Sequence, residues 1–448
     1  MLLKFRNFLD HSYSRNIAFT FLMAVLCIIL GSTSTALFLI SVIVVIFFNT
    51  KISINELWLE SFKLVKQLPI LSIFPLFFFF TVFTSFRGNN WLGDAIFVAG
   101  SYWQFIVMIP ASIGLYRLSK DVNFSGVFSY GCRFGLLFVV PLSLAQIYFL
   151  NIQPEGFLSN PLIFATLCIA AAGFAILEWR EDTQKNKTLG WIAFAAGILA
   201  ALLTFSRGMV LPISVVILIS IFYSFKIKSK HKLSMKTVAV LAAFIIAIFV
   251  ASIYSNNGWR ILNKKILQPI EMYNLGQPID QSISQRLDMQ ITGFHAFKEQ
   301  PIWGYGIQNT VEEANLVSQE VLGRKTEYTY THLHNDYLTH AVGGGLVLMV
   351  LFILVILSPV LLSWRFRNNE KEAVLFYFSV ILSGVYSTAA MSNVVFHNDQ
   401  LTTMFCIATI FVMIRRLQLI NGQKDARIPD FPTIANGINP IGRLPSKG

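Results

Sequence analysis

The sequence predicts an all-α, polytopic integral membrane protein of about twelve transmembrane helices, each needing roughly 20 mostly apolar residues. Three observations predict it. Of 448 residues, 55% are hydrophobic and 13% charged, and the mean hydropathy is +0.61; a soluble chain this long carries about 25% charged residues. Phe occurs 41 times, which suits a lipid-facing surface. Apolar runs long enough to cross a bilayer recur along the chain, and Lys and Arg sort to one side of them.

The runs lie near 16–31, 33–49, 68–86, 95–115, 126–149, 160–178, 188–206, 209–225, 237–254, 337–363, 373–393 and 400–418. The first lacks a small-residue cleavage site and is followed at once by a second, so it reads as a retained anchor. With a cytoplasmic N-terminus, Lys4, Arg6, Arg15, Lys51, Lys63, Lys66, Arg117, Lys120, Arg180, Lys185, Lys187, the basic stretch 226–236, Arg365, Arg367, Lys371 and the tail from Arg415 all fall inside. The short outside loops keep Arg87 and Arg207. Because cytoplasmic loops are the ones enriched in Lys and Arg, this asymmetry sets the orientation. The net charge of +12 therefore belongs to membrane topology and does not point to nucleic acid. Cys27, Cys132, Cys168 and Cys406 sit within apolar runs as packing residues, and no metal-type spacing appears.

The organisation expected is nine helices over 1–254, an outside loop over 255–336, three helices over 337–418 and a flexible cytoplasmic tail over 419–448, rich in Pro and Gly. Within the loop, 282–301 has a helical pattern: Leu287, Ile291, Phe294 and Phe297 recur at spacings of three or four. Ser282 with Gln285 resembles a capping box, and Pro301 stops the helix. The reading is an amphipathic helix on the membrane surface, then a turn, "PIWGYG", back toward the bundle.

The few polar residues on the outer side can be weighed singly. Arg207, in "TFSRG", is either an interfacial anchor that snorkels to headgroups or a cation awaiting an anionic partner. Arg286, near a helix start, opposes the macrodipole; it makes either a surface ion pair with Asp288 or Glu299 or, with the helix end, a phosphate site. His334 falls just before the helix that begins near Asp336, beside His332 and Asn335. The positive helix end and nearby arginines disfavour its protonation, and a neutral imidazole is what a general base requires. Gly345, eleven residues on, is about three turns away and so lies beneath His334, open to close approach by a chain or lipid tail. Arg87 is a further candidate for the same anion site. His397, Asn398 and Asp399 read as a solvated turn, His295 as solvent-facing, and His340 as a helix residue of unassigned role.

Together, "TFSRG", "SQRLDMQITGFHAFKEQPIWGYG" and "HLHNDYLTHAVGGG" resemble the O-antigen ligase and polymerase superfamily, nearest to the lipopolysaccharide O-antigen ligases of Gram-negative inner membranes. The family signature of His, ten residues and Gly falls on His334 and Gly345. The family's arginine at the outer end of a helix pair falls on Arg207, and that of its periplasmic-loop helix on Arg286. Motifs carry the resemblance over about 190–400 and hydropathy carries it elsewhere. It implies a GT-C-like, metal-independent, inverting glycosyltransferase with no cofactor, its site facing the periplasm. The implied partners are a glycan on undecaprenyl diphosphate as donor, lipid A–core as acceptor, and membrane lipids. His334 and His332 would be catalytic; Arg207, Arg286 and Arg87 would hold the donor diphosphate.

Two other readings use the same features. An O-antigen polymerase takes the same donor but a second lipid-linked glycan as acceptor; "HLHND" and "RLDM" look more ligase-like. A transporter would place its charges near the bilayer midplane, whereas these gather on one face.

Overall fold

The computed structural model describes residues 53–87, 91–118, 123–158, 160–179, 184–226, 250, 254, 259–260, 263–268, 271, 281–323, 332–369 and 372–425. The expected spans at 16–31 and 33–49, nearly all of 237–254, most of the basic stretch 226–236, parts of the outside loop, the Ser282 side chain and the tail from 426 lie outside them.

All regular structure in the described residues is helical. In chain order these are α1 (Ile54–Gln67), α2 (Ile73–Ser85), α3 (Trp91–Tyr102), α4 (Gln104–Leu118), α5 (Phe124–Ala145), α6 (Pro161–Ala175), α7 (Gln184–Leu203) and α8 (Val210–Lys226). Then follow α9 (Gln281–Glu299), α10 (Thr310–Leu316), α11 (Ser318–Leu322), α12 (Asp336–Ser363), α13 (Ala373–Ala389) and α14 (Asp399–Asp425). Helices occupy each expected span from 68–86 to 209–225 and from 337–363 to 400–418. Among the described residues, six stretches are long and apolar enough to cross a membrane, and Pro69–Ser85, Pro161–Ala175 and Ala373–Ala389 are shorter apolar helices.

Local chemistry sets the helix starts. Ser53 and Glu56 cap α1 reciprocally, each side chain taking the other's backbone N–H at 3.2 Å. Asn160 accepts from Leu162 and Ile163 N–H, with Pro161 at the first helical position of α6. At 15 residues, α6 reaches about 22 Å, short of the ~30 Å hydrocarbon layer. It survives because protein rather than lipid surrounds it: Ile163 to Ala175 are buried without exception. It packs against α5, α7, α8 and α13, while α14 packs against α4, α5, α12 and α13.

Phe divides between two roles. Phe79, Phe83, Phe138, Phe222 and Phe225 are exposed on the flanks, as a lipid-facing surface requires, but Phe74, Phe77, Phe105, Phe128, Phe352, Phe378 and Phe396 are fully buried. Phe396 is central: its ring lies 5.0–6.2 Å from those of Phe77, Phe105, Phe352, Tyr386 and Phe405. Such aromatic pairs each add about 0.5–1.5 kcal/mol beyond area burial. This knot lies directly beneath the polar end of the bundle and makes a rigid floor for it.

Candidate active site

The site is built around the start of α12. Asn335 adopts an extended conformation and its side chain accepts from Leu338 N–H at 3.2 Å, capping the helix. His334, just before it, has φ +52°, a left-handed backbone that costs a non-glycine residue roughly 1–2 kcal/mol. Strain of this kind persists where surrounding structure fixes it, and Asp336 does so here. Its N–H donates to Ala390 O at 2.8 Å. Its fully buried carboxylate accepts from Val395 N–H at 2.8 Å and Phe396 N–H at 3.3 Å. The start of α12 is thereby tied to the α13–α14 connection.

Three imidazoles gather above this tie. The His332 and His334 rings are 4.6 Å apart, edge to face, and His332 and His397 are 6.3 Å apart. Burial first, then His397 and Arg286 against an opposing pull from Asp336, holds His332 down at about 4. Burial, His332 and Arg286 likewise hold His334 at about 4. His397 is also lowered, chiefly by burial. All three are therefore neutral near pH 7, and a neutral imidazole carries one accepting nitrogen.

Arg286 comes from α9, whose packing corrects one detail of the sequence pattern. Met289, Thr292 and Ala296 face the protein, fully buried, while Leu287, Ile291 and Phe294 stand about half exposed as an outer ridge. Small residues win the inner face because α9 packs closely on the start of α12: a Cβ at Gly293 would come within 2.8–2.9 Å of Leu333 and Leu338. This seating puts the Arg286 charge near enough to act on both His332 and His334. Glu299, a candidate partner for Arg286, instead meets His295 at 3.5 Å and accepts from the Tyr305 hydroxyl at 2.9 Å.

Arg207 is exposed at the same end. Its turn is held by Ser392, whose hydroxyl donates to Gly208 O at 3.2 Å, two residues beyond the carbonyl that receives Asp336 N–H. Arg87 reaches a different neighbour. Its Nη1 donates to Gly304 O at 2.6 Å, and with Phe83, Thr84 and Trp303 it lines a pocket of about 310 Å³. The structure thus brings His332, His334 and Arg286 together, and places Arg207 and Arg87 at the same end on separate turns.

Gly345 is not one face of a continuous helix beneath His334. α12 breaks at Gly344 (φ −136°, ψ 16°) and Gly345 (φ 68°, ψ −164°). The second conformation is open only to glycine, and a Cβ there would collide with the Ile302 carbonyl. The approaching chain is the 301–306 turn. Tyr305 N–H donates to Val342 O at 2.9 Å, Gly306 N–H to Gly343 O at 2.7 Å, and Leu346 N–H to Pro301 O at 2.7 Å. These bonds replace those the break removes, as irregular backbone at membrane depth demands.

Sequence reasoning missed two parts of this site. His397 is not in a solvated turn: Val394, Val395 and Phe396 before it are buried, and its ring lies tilted against that of Phe97 at 6.0 Å. His340 is fully buried, lying over Phe352 at 4.3 Å, with its Nδ1 2.7 Å from Asp336 O. The available signal was the run "NVVFHND", apolar up to the histidine itself.

Two comparisons bear on this geometry. Residues 192–353 match the family model described as O-Antigen ligase. An uncharacterized protein of Haemophilus influenzae is 26% identical over 210 residues, covering 46% of this chain. The chain spans about half of that relative's length, 51%. The matched segment includes Arg207, Arg286, His332, His334 and Gly345; it is similar to the O-antigen ligase family domain, and this likeness supports membership of the O-antigen ligase/polymerase superfamily.

Proposed function

We propose that this protein is an O-antigen ligase: a glycosyltransferase that moves a glycan from undecaprenyl diphosphate to a hydroxyl of lipid A–core at the periplasmic face of the inner membrane. The observation that carries the reading is the meeting of Arg286 with the neutral His332–His334 pair at one end of a membrane bundle. Charge sidedness supports the orientation. Lys63, Lys66, Arg117, Lys187, Lys226, Arg365, Arg367 and Arg415 stand at the other end, as positive-inside topology expects of a cytoplasmic face.

The chemistry follows from the charges. The leaving diphosphate gains negative charge as the glycosidic bond breaks, and Arg286 and Arg207, with Arg87 nearby, stabilise it without a metal. His334 takes the proton of the attacking hydroxyl, and His332 holds that hydroxyl. Attack from the face opposite the leaving group inverts the anomeric centre. An imidazole held near 4 is a weak base, whereas general bases work best near the operating pH. The donor's own negative charges, arriving beside His334, raise its basicity, so the base is fully armed once donor is bound.

The test is a deletion strain read by lipopolysaccharide electrophoresis, with purified protein, both lipid substrates and chelator alongside. Loss of the O-antigen ladder with lipid-linked polymer accumulating, and transfer in chelator, is expected. Core bearing a single repeat unit would instead make the protein a polymerase; an unaltered ladder would overturn transferase action altogether.

A further inference from the structure

We propose that His397 is a further residue of this site, a positioning residue that works through His332, and that the buried Asp336 carboxylate is the lock holding it there. The inference rests on the transfer reading above.

Placement comes first. Phe396 is fixed on every side by the aromatic knot, and the two residues before it are buried. His397 therefore leaves a rigid base rather than a mobile turn. Asp336 binds Val395 and Phe396 N–H through its carboxylate and Ala390 O through its own amide. Asp336 is two residues from His334 and the amides it grips are one and two residues from His397. One side chain thus sets the spacing of two histidines distant in sequence.

The rings then form a chain: His334 to His332 at 4.6 Å, His332 to His397 at 6.3 Å. Phe97 closes the far side of His397. The charged or titratable groups facing this chain are Arg286 from α9, Asp336 and His340 from α12, and Asp399 from α14. A proton on His397 opposes one on His332, and the two rings border one another at 6.3 Å. A neutral His332 accepts a hydrogen bond next to His334, whereas a protonated one opposes proton uptake by the base. His397 therefore acts by keeping His332 neutral and oriented.

The experiment uses full-length protein in nanodiscs, with two readouts: glycan transfer across the acid limb, and the titration of ¹³C-labelled histidine rings without substrate. His397→Gln removes both the opposing charge and the bordering ring. It is expected to raise the pH at which His332 titrates above its value of about 4, move the acid limb the same way, and lower kcat between about 10-fold and 10²-fold, the scale of small misplacement. Asp336→Asn keeps a carbonyl for Val395 N–H but drops the negative charge that favours protonation. His332 then titrates lower, and turnover falls less than in Asp336→Ala. His295→Gln, away from the cluster, leaves both readouts unchanged. If His397→Gln fails to fold, His397→Asn is read in the same way. An unmoved His332 titration in a folded variant overturns the inference even where the wild type transfers glycan. A moved titration in a protein whose wild type transfers nothing supports the coupling and overturns the function instead.

Discussion

Where α6 ends, Arg133 is completely buried and donates from Nε to Ala175 O and from Nη2 to Leu177 O, both at 2.8 Å. Where α12 begins, Arg286 stands beside two imidazoles and Arg207 is exposed just before α8. Arg416 repeats the first pattern by donating to Leu362 O, and Arg415 meets Glu372 at 2.7 Å. Helix C-termini leave carbonyls over and carry partial negative charge, so an arginine there completes the fold. Helix N-termini leave N–H groups over and carry partial positive charge. An arginine near one is unfavourable for the helix by a few tenths of a kcal/mol. Helix stability accounts for Arg133 and Arg416; Arg207 and Arg286 gain nothing from it, and the proposed donor diphosphate is the partner that would use their charge.

The comparison can be broken by separating activity from stability. The largest effect expected is from His334→Ala, a loss of about 10²–10⁴-fold in transfer, typical of a removed general base, with donor binding retained because the arginines remain. His332→Ala loses less. Near-normal turnover in purified His334→Ala would remove the base from the site. Next come Arg286→Ala and Arg207→Ala, each losing a charge-assisted contact worth roughly 1.5–3 kcal/mol, or about 10- to 10²-fold in rate. Lys rescues poorly because it lacks the bidentate fork. Wild-type rates in both folded Ala variants would dissolve the phosphate site. Arg133→Met should show the reverse profile. It leaves two buried carbonyls without their donor, at roughly 1–3 kcal/mol each, so the melting temperature drops while turnover per folded molecule holds. If Arg286→Ala behaves like Arg133→Met, the distinction between the two ends collapses.

What the sequence made legible was local. Hydropathy located α2 to α8 and α12 to α14 because each span satisfies its own backbone and advertises itself by composition; α1, α10 and α11, which are not apolar runs, it passed over. His334 was readable as the residue before a helix because Asn335 and Asp336 are cap residues wherever they fall. What stayed hidden depended on distant partners. Asp336 grips Val395 from 59 residues away, and no local pattern shows that "VVFH" is anchored rather than solvated. The three glycines at 343–345 looked like a helix face because the apolar run continues through them. Their break is stabilised by a turn some forty residues earlier in the chain. On α9, spacing revealed the helix and its apolar ridge, but burial of the opposite face was decided by Gly293 pressing on Leu333 and Leu338.

The pairing of the 301–306 turn with the broken α12 also has a temporal consequence. Residues 301–306 leave the ribosome before 342–346, and the ladder between them is made of main-chain bonds that have no earlier partner. The turn must therefore wait, its amides satisfied by water, until α12 has entered the bilayer. The Asp336 lock closes later still, when residues 390–396 arrive. The polar end is consequently the last part of the protein to mature during synthesis, and a nascent chain stalled before the final span carries its histidines without a site.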